Sequence, residues 1–286
     1  MRRLVVTCGM LVVLLAAAPV GAEARTGAAA STLSSALDYG MGQIGGASGA
    51  YVVDLNTGQT LYSYAAGVGR LPASVEKIYT TSTALLRFGS GGTLTTRVLG
   101  NGTIDRHGGW HGVLYLKGGG DPTFGSAAFD QAAYGTGATM QVLVSRLVHN
   151  LGLTSVHGRI VGDETDFDSL RGTPATGFGV DMVDVEGQLS ALAYDRGFGD
   201  FAGTVPQARP ALYATQQFVA ALQAAGVKVP SSTSVYTAQA PSSAKRLAMI
   251  HSPKIVRLIQ LTNTPSDNYL AEMLVKGLGA RFGGAG

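Results

Sequence analysis

Apolar residues along this chain recur at two spacings. In Ala50-Tyr51-Val52-Val53-Asp54 and Thr60-Leu61-Tyr62-Ser63 they form short β-rich runs on either side of Leu55-Asn56-Thr57-Gly58. That arrangement predicts two strands and a hairpin turn. A short helix over residues 33–44 precedes them. From Ser74 the spacing turns helical, with Ile78, Leu85 and Phe88 near a 3.6-residue period and Ala84 and Leu86 alongside. The helix is expected to end near Phe88-Gly89, with Gly91-Gly92 as its stop.

Beyond residue 93 the pattern is richer in strands. Residues 95–100 and 112–117 read as strands separated by a glycine-rich turn, and Gly118-Gly119-Gly120-Asp121-Pro122 closes the second. No Gly-Lys-Ser/Thr follows these glycines, so they predict a turn rather than a phosphate loop. Residues 140–151 form an amphipathic helix through Leu143, Leu147 and Leu151, stopped by Gly152 and followed by a strand over 156–161. Residues 214–225, Gly226 and residues 227–229 repeat that order. The stretch between is rich in Gly, Asp and Pro, which predicts long surface connections. Ser252-Pro253 reads as an N-cap with proline at the first helical position. Ile255, Leu258 and Ile259 supply the apolar stripe. Asn263-Thr264-Pro265 interrupts it, and Ser266-Asp267-Asn268 opens a last helix to Gly277. Arg281 to the end is a glycine-rich tail with no expected element.

Composition bounds these elements. The 286 residues are 45% hydrophobic and 14% charged, a globular balance able to bury a real core. A net charge of +3, without a basic stripe or aromatic ladder, argues against nucleic acid as a partner. Arg2 and Arg3 precede an apolar run over 4–18, then Ala22-Glu23-Ala24, which reads as a secretory leader of residues 1–24. Cleavage there removes Cys8, the only cysteine, so the exported chain would lack thiols and disulfides.

The candidate chemistry sits at two helix starts. Ser74 and Lys77 are three residues apart in a first helical turn and share a face. A serine hydroxyl needs a neighbour to take its proton, and a lysine can serve when its own proton is lost. A plain N-cap serine has the same local sequence. Ser242-Ser243-Ala244-Lys245 repeats the spacing, but in a loop-like composition with no helical period. Ser266 and Asn268 can relay a proton and hold an amide, although the same three residues also suit an ordinary hydrogen-bonded helix start.

Taken together, Ser-x-x-Lys and the distant Ser-Asp-Asn resemble the D-alanyl-D-alanine carboxypeptidase/endopeptidase family of low-molecular-mass penicillin-binding proteins. The class is the one with an insertion between these motifs. The likeness is carried by Leu71-Pro72-Ala73-Ser74, residues 116–122, Gln188-Leu189-Ser190-Ala191-Leu192, and residues 266–279 with Ala271-Glu272-Met273-Leu274. It implies an α/β (α+β) transpeptidase-like serine hydrolase, a helix-flanked antiparallel sheet with a strand-rich insertion. The domains would be residues 25–92 and 241–286, with 93–240 inserted. By the same resemblance Ser74 would be the acylated nucleophile and Lys77 its base. Ser266 would pass a proton to the departing D-alanine, and Asn268 would bind the peptide carbonyl. The expected partners are peptidoglycan stem peptides, with β-lactams as covalent inhibitors, in the periplasm or cell-wall space, and with no cofactor or metal.

Two features depart from that pattern. Glu76 adjoins Lys77, and a carboxylate facing the amine would oppose its work as a base. No Lys-Thr-Gly occurs anywhere, so the chain is expected to be incomplete and catalytically poor. A non-catalytic wall-binding protein, or a β-lactamase or esterase with the same machinery, are the alternatives. Penicillin labelling and its turnover separate the three.

Other polar clusters read as ordinary structure. His107 and His111 lack a third nearby ligand. Asp163, Glu164, Asp166 and Asp168 lack the glycine and terminal glutamate of a calcium loop. Of Asp181, Asp184 and Glu186, Asp181 is the first candidate to meet the free amine of a diaminopimelate-type side chain, against a reading as exposed loop carboxylates.

Overall fold

The computed structural model describes residues 20–283, and residues 1–71 and 72–286 form two compact units. The first unit holds helix α1 (Val20–Gln43) and an antiparallel hairpin of β1 (Ala50–Val53) and β2 (Thr60–Tyr64). The helix expected over 33–44 is thus the second half of a longer one. The leader expected over 1–24 lies outside the described residues as far as residue 19. Tyr62 donates to Asp38 at 2.7 Å, and the Arg70 guanidinium ties Ala47, Ser48, Ala65 and Val68 through their carbonyls.

The second unit begins with a 3₁₀ turn (Ala73–Glu76) running into α2 (Lys77–Phe88). Then come β3 (Thr95–Ile104), β4 (Gly109–Lys117), β5 (Phe124–Gly125), α3 (Ala127–Ala133), β6 (Ala138–Thr139), α4 (Met140–Leu151) and β7 (Ser155–Asp163). After a long irregular stretch follow α5 (Pro210–Ala224), β8 (Ser234–Thr237), β9 (Lys245–His251), α6 (Ile255–Asn263) and α7 (Asn268–Leu278). Five strands form one sheet in the order β8-β7-β4-β3-β9. It is mixed, and all its strands except β9 lie within residues 93–240, the stretch expected to be a strand-rich insertion. β3 pairs antiparallel with β4 and β9, whereas β4–β7 and β7–β8 are parallel. The reason is topological: α4 carries the chain back between β4 and β7, and α5 between β7 and β8, as parallel neighbours require.

The main core lies where α4 and α5 cover this sheet. Leu143, Val144 and Leu147 of α4 and Phe218 and Leu222 of α5 meet Val98, Leu114, Leu116 and Ile160. The helical period legible in α4 is therefore the period of its buried face, and Gly152 ends it in the left-handed conformation (φ 61°). A second cluster joins Ala84 of α2 to Leu94, Ile255 and Leu258 of α6, and Leu274 of α7.

Several expected boundaries move. β3 and β4 extend through the glycines assigned to their turn. Gly102, Gly112 and Gly158 stand side by side across three strands. A Cβ on Gly158 would come within 1.9 Å of the Gly112 carbonyl oxygen, so only glycine permits that approach. Residues 227–229 make only an isolated bridge at Lys228, and the strand forms later as β8. α6 starts at Ile255 with Lys254 as its cap residue. The Ser252 hydroxyl instead accepts from the Leu94 N–H at 2.9 Å and donates to the Pro253 carbonyl at 2.7 Å. A final helical turn, Gly279–Gly283, replaces the featureless start of the tail.

The largest difference concerns the stretch after β7. It is irregular and only in part a surface connection: residues 174–178 and most of 199–209 are exposed, whereas Val185, Gln188, Leu189, Ser190, Ala191 and Leu192 are buried. Its backbone is satisfied without strands, through Gln188 N–H to Arg196 O (2.8 Å) and Gly120 N–H to Ala191 O (2.9 Å). Its glycines admit close contact. A Cβ at Gly187 would lie 2.4 Å from the Tyr269 ring.

Two buried carboxyls lie beside this stretch. Asp121 uses one oxygen to accept from Thr123, and Asp130 of α3 meets no protein donor at either oxygen. Burial pushes Asp121 up to about 7, and burial with the charges of Asp121 and Asp195 pushes Asp130 up to about 8. Both ionise near pH 4 in an unfolded chain. The folded state thus holds extra protons between about pH 4 and pH 8, and stability falls as pH rises through that window. Asp130→Asn is expected to gain stability relative to the parent protein as melts move from pH 5 to pH 8. A difference that stays constant over that range would contradict the assignment.

Candidate active site

Two loop-to-helix junctions build the site. At the first, Ala73 takes a left-handed conformation (φ 47°) after Pro72, and the 3₁₀ turn then places Ser74 at the mouth of α2. Ser74 is exposed and Lys77, the first residue of α2, is half-buried. Their three-residue separation puts both on one face, and Lys77 Nζ donates to Ser74 Oγ at 3.2 Å.

The second junction is the tight link from α6 to α7. The Asp267 N–H donates to Thr262 O at 2.8 Å, and its carboxylate caps α7 by accepting from the Leu270 N–H at 2.8 Å. Ser266, caught between the two helices, is left-handed (φ 63°). The result turns Ser266 Oγ and Asn268 Oδ1 toward Lys77 Nζ, at 3.3 and 2.5 Å. All four residues expected to form the site, Ser74, Lys77, Ser266 and Asn268, therefore meet around one nitrogen. An ammonium there fills three acceptors. A neutral amine there sits within reach of the Ser74 proton and beside a second hydroxyl that can pass it on.

Glu76 is exposed and, among the described residues, forms no ion pair with Lys77. Consecutive helical positions diverge. A carboxylate missed by the sequence reading is Glu272, one turn after Asn268 on α7. Burial raises its pKa; Lys276 opposes that shift, Glu76 adds to it and Lys77 opposes it. Its spacing of four from Asn268 was the available signal.

The remaining candidates stand elsewhere. Ser242 lies in the loop before β9 and Lys245 opens that strand, so no helical turn puts the two on one face. His111 pairs with Asp105 at 2.7 Å and stacks on His157, while His107 Nε2 accepts from Arg106 Nε at 2.9 Å. Asp163 and Asp166 both reach Lys117, Glu164 accepts from Arg171 and Ser190, and Asp168 binds Lys276. Asp181 is corrected: it is buried and accepts from Thr173 Oγ1 at 2.5 Å and the Asp184 N–H at 2.8 Å. Those bonds hold its pKa below the ordinary range, and it is a loop anchor closed to a substrate amine. A cavity of about 870 Å³ opens at the far ends of α2 and α7, by Arg87, Phe88 and Gly277, away from Ser74.

Comparison with known proteins bears on the whole chain. The model of the D-Ala-D-Ala carboxypeptidase 3 (S13) family matches residues 30–177 and 175–286. A carboxypeptidase of Mycobacterium tuberculosis is 30% identical over 269 residues, covering 90% of this chain and 53% of that protein. A D-alanyl-D-alanine carboxypeptidase of Actinomadura sp. is 35% identical over 127 residues, 44% of this chain and 21% of the other. The chain spans about half the length of the longest-matching curated relatives. In fold it resembles penicillin-binding protein 4 of Haemophilus influenzae. The TM-score is 0.63 at 18% identity, over 82% of this chain and 63% of the other. A structure of that protein with a β-lactam matches at a TM-score of 0.55 and 16% identity, over 82% and 61%.

The strained junction yields a test. A left-handed non-glycine residue costs roughly 1–2 kcal/mol that glycine avoids, offset in part by glycine's larger unfolded-state entropy. Ser266→Gly is expected to be more stable than Ser266→Ala by about 1 kcal/mol in urea unfolding. Equal midpoints with equal slopes would show that the junction is relaxed.

Proposed function

Because the chain belongs to the D-Ala-D-Ala carboxypeptidase 3 (S13) family, we propose that it is a serine acyl-enzyme hydrolase of peptidoglycan stem peptides. The observation that carries the reading is the gathering of Ser74, Ser266 and Asn268 on Lys77 Nζ. In its neutral form the amine takes the Ser74 proton as Oγ attacks the D-Ala-D-Ala carbonyl. The resulting ammonium, 3.3 Å from Ser266 Oγ, returns a proton through that hydroxyl to the leaving D-alanine nitrogen. Asn268 gives Oδ1 to Lys77, which leaves its amide N–H₂ to hold the substrate carbonyl. Water then releases the acyl group by the reverse path. A β-lactam amide would be opened by the same serine, a reading supported by the β-lactam complex of the Haemophilus protein. The leader-like residues 1–24 support action outside the cytoplasm, and cleavage of cross-bridges would use the same chemistry on a different leaving amine.

The test is acylation by fluorescent penicillin, together with D-alanine release from a stem pentapeptide. The 286-residue protein, which has no Lys-Thr-Gly, is expected to form an adduct slowly but lastingly, and Ser74→Ala to abolish it. Lys77→Ala should slow labelling by about 10²–10⁴-fold, the usual contribution of a positioned base. Unchanged labelling of Ser74→Ala would overturn the assignment. Rapid release of opened penicillin would reassign the activity to a β-lactamase.

A further inference from the structure

We propose that Arg196 is a positioning residue for the Ser266–Asn268 motif, acting through Asp267; the proposal rests on the reading of the site given above. Asp267 stands between the two side chains that reach Lys77, and its carboxylate oxygens have separate tasks. Oδ1 caps α7 at the Leu270 N–H. Oδ2 accepts from Arg196 Nη2. With both oxygens held, the Asp267 side chain cannot rotate without breaking either the helix cap or a buried ion pair. The backbone on each side is therefore held as well.

Arg196 is built for that task from its own surroundings. Its side chain is 12% exposed, as is that of Asp267. Nε donates to Tyr134 Oη at 2.6 Å, and the guanidinium lies 5.2 Å from the ring centroids of both Tyr134 and Tyr269. Tyr269 follows Asn268 in sequence and is fully buried, so the same cation grips α7 at two neighbouring points. The Arg196 backbone is left-handed (φ 56°) after an equally unusual Asp195 (φ 49°). That conformation is over-determined. The Arg196 carbonyl accepts from the Gln188 N–H at 2.8 Å, and Asp195 accepts from the Ser126 N–H at 2.6 Å and from its hydroxyl at 3.0 Å. Strained non-glycine backbone persists where surrounding contacts enforce it, and it concentrates at functional sites.

Two left-handed junctions, at Arg196 and at Ser266, thus face each other across one ion pair. A planar, permanently charged fork serves Tyr134 through Nε and Asp267 through Nη2 from two separate nitrogens in fixed geometry, which the single nitrogen of a lysine does not reproduce. Among the described residues Arg196 forms no hydrogen bond with Ser74, Lys77, Ser266 or Asn268, so its effect on them runs through Asp267.

The test compares Arg196→Gln, Arg196→Lys and Asp267→Asn in the full chain. Penicillin acylation is resolved into its binding constant and its acylation rate. In parallel, the Asn268 side-chain amide is followed by ¹⁵N NMR, identified by its loss in Asn268→Asp. Displacement of a reacting group by about 1 Å costs on the order of 10²-fold in rate. Arg196→Gln is therefore expected to lower the acylation rate by about 10²-fold while binding changes less than about 3-fold. Its Asn268 amide signals should shift as they do when Lys77→Met removes their partner. Arg196→Lys should fall between, and Arg196→Gln with Asp267→Asn should be no slower than either alone, the mark of one shared path. Wild-type acylation and wild-type Asn268 signals in folded Arg196→Gln would overturn the proposal, whatever its melting temperature. Should that variant not fold, the same two wild-type results in Arg196→Lys would do so. If the parent protein takes no penicillin, the functional reading fails, while the Asn268 signals still decide the role of Arg196.

Discussion

Three oxygens from two distant segments converge on Lys77 Nζ, and the packing of α2, α6 and α7 holds that nitrogen in place. A half-buried amine with three partners can be kept only if the start of α2 and the start of α7 lie side by side. Small Ala84 allows α2 to approach, and Ile255, Leu258 and Leu274 fill the space between the three helices. A side-chain bond from Asn263 to Thr81 at 3.2 Å joins α6 to α2 one turn beyond the site. The link between α6 and α7 is then too short for relaxed backbone, and Ser266 carries the strain.

α7 is buried on two sides. Leu274 faces α2 and α6, while Tyr269, Leu270 and Met273 pack against Phe129, Val185, Leu189 and Phe198. The irregular stretch after β7 is thus part of the support of the site. Several of its polar groups are closed internally, as in Ser190 to Glu164 to Arg171, and Arg171 in turn donates to the Leu189 carbonyl at 2.9 Å. Such a segment can be irregular and still ordered where its backbone groups find partners, as Gln188 N–H does at Arg196 O and Leu189 N–H at Arg171 O.

Much of this was legible in the residues. Helix α4 was read with its observed bounds because Leu143 and Leu147 repeat at the helical period and Gly152 supplies a left-handed end. Ser74 and Lys77 were paired by their spacing, and Ser266 and Asn268 by their motif. The misreadings share a cause. Ser252-Pro253 has the composition of a cap, but its hydroxyl was claimed by Leu94, a residue that only folding brings near. Gly102 was assigned to a turn, yet it lies within β3 because the backbone of His111 crosses close to it. Asp181 looked like a free loop carboxylate until Thr173 and the Asp184 N–H enclosed it.

Local chemistry in the sequence determined the most periodic helices, such as α2 and α4, and the identities of the reacting groups, since periodicity and side-chain type act over a few residues. It determined the family as well, through two short motifs and the segments around them. The tertiary structure decided the rest. It decided that the four site residues meet, that the sheet is mixed, that the middle of a glycine-rich stretch is core, and that Arg196 reaches Asp267. Each of these depends on contacts between residues far apart in the chain. No local pattern encodes such contacts, because their partners are chosen by how the whole chain packs.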